Sequence, residues 1–280
     1  GEYTVAAGGE CVSTAIGDGK AEYCFKLYGA RDFAMSLNKN YNVIQKTAGA
    51  TNVCVYSADC PFAEEIAAVA VEATETFSAL FGEYPYPSLS VAVTRFLHGG
   101  MEYPSLVFVS DALEKEDAIT ATVHEIAHQW WYAAVGFDQV NEAFLDEGLA
   151  EYSVVLFYEE HPNYGYTREG LFDAKTAEYR AFYGVFQDHG VAPDTKMRRP
   201  LSSFSGDYEY AEICYARSAL MFDGFREGVG KKRFIGALKR FFADNIFSIA
   251  DTDALLSSMC RAAYDAENYF NSWIEGKVIV

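Results

Sequence analysis

The chain has 280 residues, half of them hydrophobic and 16% aromatic, with a formal net charge of -18. That composition supports a sizeable core and excludes a disordered chain. Nucleic acid is excluded as a partner, because so acidic a protein repels a polyanion. The two short cationic runs, 196–199 and 231–233, read as solvated surface.

Residues 1–57 divide into short β-prone runs, 3–5, 11–16, 21–27, 41–46 and 52–56, separated by Gly, Asp and Asn turns. The chain opens in what reads as the middle of a β-rich region. Six cysteines are present and none forms a CxxC pair, so a cysteine-based zinc site is not expected. Cys11 and Cys24 flank Gly17-Asp18-Gly19; with Gly17-Asp18 as a two-residue loop, they fall opposite each other across a hairpin. Cys54 and Cys60 are also close. Disulfides at these pairs would imply an oxidising compartment, and buried thiols are the alternative.

From Pro61 the pattern changes. Residues 62–81 carry Ile66, Val69, Ala70, Ala73, Phe77 and Leu80 at helical spacing, with Gly82 as the stop. A turn at 85–87 precedes two strands, 89–96 and 106–109. Between them lies Leu97-His98-Gly99-Gly100-Met101-Glu102-Tyr103-Pro104. Beyond Asp117 the chain reads as mostly helical. No apolar run is long enough to span a membrane.

Residues 117–134 are predicted to form one helix, with Ile119, Val123, Ile126 and Trp130 on its buried side. It contains His124-Glu125-Ile126-Ala127-His128. Residues i and i+4 project from one helix face, so both imidazoles can reach one metal ion. Glu125 adjoins the first of them, where its carboxylate can reach a metal-bound water. Two incidental histidines are the competing reading. Catalytic zinc takes three protein ligands and keeps one position open. A second predicted helix, 141–160, supplies Glu147, separated from His128 by eighteen residues. A His, His, Glu set suits zinc; a solvated helix carboxylate is the alternative. Glu151, one turn further, is placed to accept a hydrogen bond from a ligand histidine.

The stretch His124-Glu125-Ile126-Ala127-His128-Gln129-Trp130-Trp131, followed by Phe144-Leu145-Asp146-Glu147-Gly148-Leu149-Ala150, resembles the gluzincin peptidases and in particular the aminopeptidase N family. Two further segments resemble the same family. Gly99-Gly100-Met101-Glu102-Tyr103 is similar to its Gly-Ala-Met-Glu-Asn edge strand, whose Glu binds the peptide's free amino terminus. Here Tyr103 replaces Asn, and Pro104 follows. Cys214-Tyr215-Ala216-Arg217-Ser218 is similar to its Tyr-x-Lys-Gly segment, with Arg-Ser in place of Lys-Gly. Tyr210 stands where some members have a second cleft tyrosine, and Tyr208 lies nearby.

The resemblance implies an α+β, thermolysin-like catalytic domain over 58–280, a small sheet followed by a mostly helical lobe. Residues 1–57, including Ala30-Arg31-Asp32-Phe33-Ala34, resemble the end of a β-rich N-terminal domain. It also implies one zinc ion per chain on His124, His128 and Glu147, with Glu125 as general base and Tyr215 as oxyanion donor. Gly99, Gly100, Met101, Glu102 and Tyr210 would bind a peptide with a free amino terminus. A zinc endopeptidase and a non-catalytic peptide-binding module remain alternatives. For the compartment, the reading leans to secreted or surface-anchored, with cytoplasmic also open.

Overall fold

The computed structural model describes residues 3–280, which fall into two compact units, Gly1–Ala134 and Val135–Val280. The first unit is built on a five-stranded sheet of order β5-β6-β7-β9-β8. Before it come β1 (Thr4–Ala7), β2 (Glu10–Gly17), β3 (Lys20–Lys26) and β4 (Met35–Asn38). β1 pairs with β4 and β2 with β3, both antiparallel. The sheet strands are β5 (Asn42–Ala48), β6 (Thr51–Ser57), β7 (Ser88–Thr94), β8 (Gly100–Met101) and β9 (Leu106–Ser110). β6, β7 and β9 run parallel, and β5 and β8 are antiparallel edges.

Alternation along the three central strands decides what covers each face. Val55, Val91 and Val107 form one register row and are all fully buried. Two helices serve this unit: α1 (Ala63–Phe81) packs on β5 and β6, and α2 (Lys115–Ala127) packs on β9 and on α1. The neighbouring row, Tyr56, Ala92 and Phe108, joins a cluster with Ala6, Ala34 and Tyr41 from the first strands. Gly82 ends α1 at φ 142, its N–H bonded to the Ser78 carbonyl.

The boundary expected at residue 57 falls at the end of β6, and β5 and β6 belong to the same sheet as β7 and β9. The β5–β6 hairpin supplies two of the five strands of this sheet. β4 was not anticipated; its four residues satisfy the backbone of β1. In the β2–β3 hairpin the loop is Asp18-Gly19, both at positive φ, the type I′ preference. With the loop one residue later than Gly17-Asp18, Cys24 falls opposite Ser13, and the bulge between Cys11 and Ser13 leaves Cys11 opposite Phe25, so the expected Cys11–Cys24 pairing is not formed. Cys54 and Cys60 are not bonded either.

The second unit is helical: α3 (Phe144–Glu160), α4 (Arg168–Asp188), α5 (Asp207–Tyr210), α6 (Arg217–Val229), α7 (Lys231–Asn245), α8 (Thr252–Cys260) and α9 (Ala266–Ile274). α3 lies against α6, and α4 touches both. The close approach of α3 and α6 is set by Gly148. A Cβ there would drive into Ser218 and come within 3.3 Å of Phe222. The run 196–199 is not uniformly solvated. The Arg199 side chain is 9% exposed, pairs with Glu209 at 2.6 Å and lies over the Phe204 ring. Lys231 pairs with Glu159 and Glu160 at the surface.

Gly148→Ala should destabilise the chain despite alanine's better helix propensity, because overpacking a tight contact costs about 1–3 kcal/mol. Urea unfolding followed by circular dichroism measures this, and an unchanged or raised midpoint would contradict the packing argument.

Candidate active site

In the first unit, α2 projects His124 and His128 from one face, with Nε2 to Nε2 at 3.1 Å. Two nitrogens on a tetrahedral zinc with bonds of about 2.0–2.1 Å are separated by about 3.3 Å. The ring geometry therefore fits a shared ion. His128 is 1% exposed, and its Nδ1 lies 3.2 Å from the Trp131 carbonyl. A carbonyl can only accept, so Nδ1 carries the proton and Nε2 keeps its lone pair.

That carbonyl is reachable because the helix predicted to run to Ala134 breaks after His128. Gln129–Ala134 forms a wide π-type turn closed by Ala133 N–H to His128 O at 2.9 Å. Trp131 and Tyr132 leave helical geometry within it. Carbonyls in such a turn lose regular helical partners and need others. Here Trp131 O meets His128 Nδ1, Tyr132 O accepts from Arg31 at 3.3 Å, and Ala133 O accepts from the Tyr86 hydroxyl at 3.0 Å. Nothing in the apolar run Trp130-Trp131-Tyr132-Ala133-Ala134 signals this break.

Glu125 is 7% exposed and faces the edge strand β8. A Cβ on Gly100 would come within 2.6 Å of its Cδ and Cγ, so the carboxylate occupies the space that glycine leaves. Gly99 is exposed, and a Cβ there would meet nothing. Met101 pairs with Phe108 across β8–β9, and Glu102, buried, follows directly. Gln129, fully buried, ties this segment to the end of α2. Its Oε1 accepts from Ser105 N–H at 2.8 Å and its Nε2 donates to the Tyr103 carbonyl at 3.1 Å. Tyr103 meets the departure from the resembled pattern with its backbone: the carbonyl bonds Gln129 while the ring packs on Phe108.

In the second unit, Glu147 lies in the first turn of α3 beside Asp146, where the positive end of the helix dipole favours carboxylates. The Tyr210 hydroxyl donates to Glu147 Oε1 at 3.2 Å. Burial, and then the negative charge of Glu147, push the Tyr210 hydroxyl far above its ordinary pKa, so it stays a donor. The Tyr215 ring meets Tyr210 edge-on at 5.6 Å. Tyr208, 58% exposed, packs against Phe182 instead. Tyr215 sits in a second π-type turn, Ala211–Ala216, between α5 and α6. Glu151 is ion-paired with Lys175. Arg217 points away from these tyrosines into the core, where Tyr179 and the carbonyls of Trp273 and Val278 hold its guanidinium.

The other histidines are accounted for outside these groups. His98 is exposed beside Phe96, His161 stacks on Phe157, and His189 Nδ1 lies 2.9 Å from the Val185 carbonyl. The residues that sequence reasoning did not reach are Gln129, Arg31, Asp32, Tyr132 and Tyr86. Their roles depend on the turn after His128, which has no local signature.

Residues 62–273 match the model of the peptidase family M1 domain. Aminopeptidase M1-B of Oryza sativa subsp. japonica is 26% identical over 201 residues, which are 67% of this chain and 22% of that protein. Aminopeptidase N of Homo sapiens is 25% identical over 202 residues, 68% of this chain and 19% of that protein. The chain thus spans about a fifth of the length of these relatives. The M1 zinc metallopeptidase from Deinococcus radiodurans shares the fold, with a TM-score of 0.75 at 20% identity, covering 99% of this chain and 62% of that one. A two-domain M1 zinc metallopeptidase bound to L-arginine aligns with a TM-score of 0.77 at 20% identity, again covering 99% of this chain and 62% of that one. With a family match over most of its length and these site residues in the places described, the chain belongs to peptidase family M1.

Proposed function

We propose that this chain is the catalytic part of a zinc aminopeptidase, removing residues from the amino terminus of peptides. The observation that carries the reading is the pair of imidazoles with Nε2 atoms 3.1 Å apart, the far nitrogen of His128 lying 3.2 Å from a backbone carbonyl. Glu147, with eighteen residues between it and His128, is the third ligand of the proposed set. When bound, zinc supplies a Lewis acid that polarises the scissile carbonyl and lowers the pKa of a coordinated water.

The chain's own residues do the rest. Glu125 takes the proton of the attacking water and passes it to the leaving amine. Its position against Gly100 limits its freedom and keeps it beside the edge strand. Tyr215 donates to the oxygen that becomes negative in the transition state. Tyr210 holds Glu147 Oε1 and so orients that carboxylate. Glu102, buried beside the same edge strand, pairs with the substrate ammonium and sets how far a peptide enters. A family member from Deinococcus radiodurans is described with a Tyr-Ser-Ala substrate, the ligand class proposed here.

Elemental analysis of the purified chain should find one zinc, and a chelator should abolish release of amino-terminal residues from aminoacyl amides, with zinc restoring it. A chain that binds no zinc after reconstitution would overturn the reading. Glu125→Gln should keep the metal and lose turnover by about 10²–10⁴-fold; near-normal turnover would remove Glu125 from its role. Glu102→Ala should raise KM for peptides with a free amino terminus and leave blocked peptides unaffected. Equal cleavage of free and blocked peptides by the unaltered chain would make it an endopeptidase.

A further inference from the structure

The segment Ala30-Arg31-Asp32-Phe33-Ala34 has no part in the mechanism above, yet two of its side chains grip the turn that follows His128. Arg31 donates from Nη1 to the Tyr132 carbonyl at 3.3 Å, and its guanidinium lies 4.8 Å from the centroid of the Tyr132 ring. Asp32 Oδ2 accepts a hydrogen bond from the Tyr132 hydroxyl. One tyrosine is therefore held at its backbone, its ring face and its hydroxyl by two consecutive residues about a hundred positions earlier. Tyr132 itself is 6% exposed.

We propose that Arg31 and Asp32 are positioning residues for the metal ligand His128, acting through Tyr132. In a regular helix the carbonyl of residue i+3 points along the axis toward the C-terminus, while the side chain of residue i leans toward the N-terminus. Trp131 O could not then meet His128 Nδ1. The bond exists because the chain leaves helical geometry at Trp131 and Tyr132. Those residues are apolar or aromatic, with neither Pro nor Gly to break the helix. What holds them out of the helix is external. Arg31 satisfies the carbonyl that the break strands, and Asp32 anchors the side chain of the same residue. Tyr86 holds the next carbonyl, from Ala133, and so supports the far side of the turn.

Loosening the clamp should let Trp131 O drift from Nδ1. The imidazole would lose its fixed tautomer and ring angle, and outer partners of ligand histidines typically contribute 10–100-fold in metal affinity. This inference rests on the zinc reading for its affinity readout, and has a second readout that needs no metal.

The test uses the full 280-residue chain. Zinc dissociation constants are measured by competition with a chromophoric chelator for the unaltered chain, Asp32→Ala, Tyr132→Phe and the double variant. Thermal melts of the metal-free forms run in parallel. The expected result is a dissociation constant raised about tenfold or more in each single variant. The double variant should be no weaker than the worse single one, since both changes break one hydrogen bond. Dissociation constants within twofold of the unaltered chain would overturn the proposal, whatever the melting temperatures do. In parallel, nitrogen-15 NMR of metal-free protein reads the His128 tautomer. A protected Nδ1 proton in the unaltered chain that is lost or broadened in Tyr132→Phe supports the clamp; identical imidazole signals in both overturn it. If the unaltered chain binds no zinc, the proposed function fails and the NMR comparison alone decides the clamp.

Discussion

A histidine that is to hold a metal through Nε2 must give its proton to Nδ1, and something must accept it there. In this chain the acceptor for His128 is a backbone carbonyl three residues ahead, which a continuous helix cannot supply. Much of the arrangement around α2 answers that constraint. The helix ends at its second histidine, the following turn widens, and the Tyr132 and Ala133 carbonyls are met by Arg31 and Tyr86 from elsewhere in the first unit. Breaking the helix costs backbone hydrogen bonds, and the returned bonds keep that cost from being left buried and unpaired.

A second constraint concerns carboxylates. Glu125 and Glu102 are both nearly buried, which disfavours charge unless their surroundings are polar and fixed. Gly100 lets the β8 strand pass against Glu125, and Gln129 reads both the Tyr103 carbonyl and the Ser105 N–H just beyond Glu102. One side-chain amide thus couples the strand that carries Glu102 to the helix that carries the histidines. A Glu or Leu at 129 could not satisfy both groups, because one has no donor and the other is apolar. In the second unit the same economy recurs: Tyr210, lifted far from ionisation, spends its one proton on Glu147.

The proposed metal-binding pattern was legible because its physics is local. His124, Glu125 and His128 follow helical periodicity, and Glu147 lies on a second predicted helix. β6, β7 and β9 announced themselves as apolar runs. What stayed hidden depends on partners far away in the chain. The break after His128 lies in a run of buried aromatics and alanines that satisfies a helical pattern as well as any core helix does. β4 exists because β1 needs a partner, and its four residues carry no signal of their own. The pairing of Cys11 with Cys24 failed because the hairpin turns at Asp18-Gly19, one residue later than expected, which shifts the register of the whole ladder. Arg199 read as surface because charge runs usually are, whereas Phe204 and Glu209 enclose it.

The burial of Arg217 has a consequence for the order in which the second unit assembles. Its guanidinium is fully buried, and its acceptors are the Tyr179 hydroxyl and the carbonyls of Trp273 and Val278. Two of those three lie 56 and 61 residues downstream. An intermediate in which α6 has packed on α3 but α9 has not arrived would hold a charge in low dielectric without its acceptors, a strongly unfavourable state. Docking of α6 and of the C-terminal segment are therefore coupled events. Contacts of that sequence separation are slow to close. The helical unit gathers around a cation that cannot be sealed until its last helix is in place, so this half of the molecule closes as a whole.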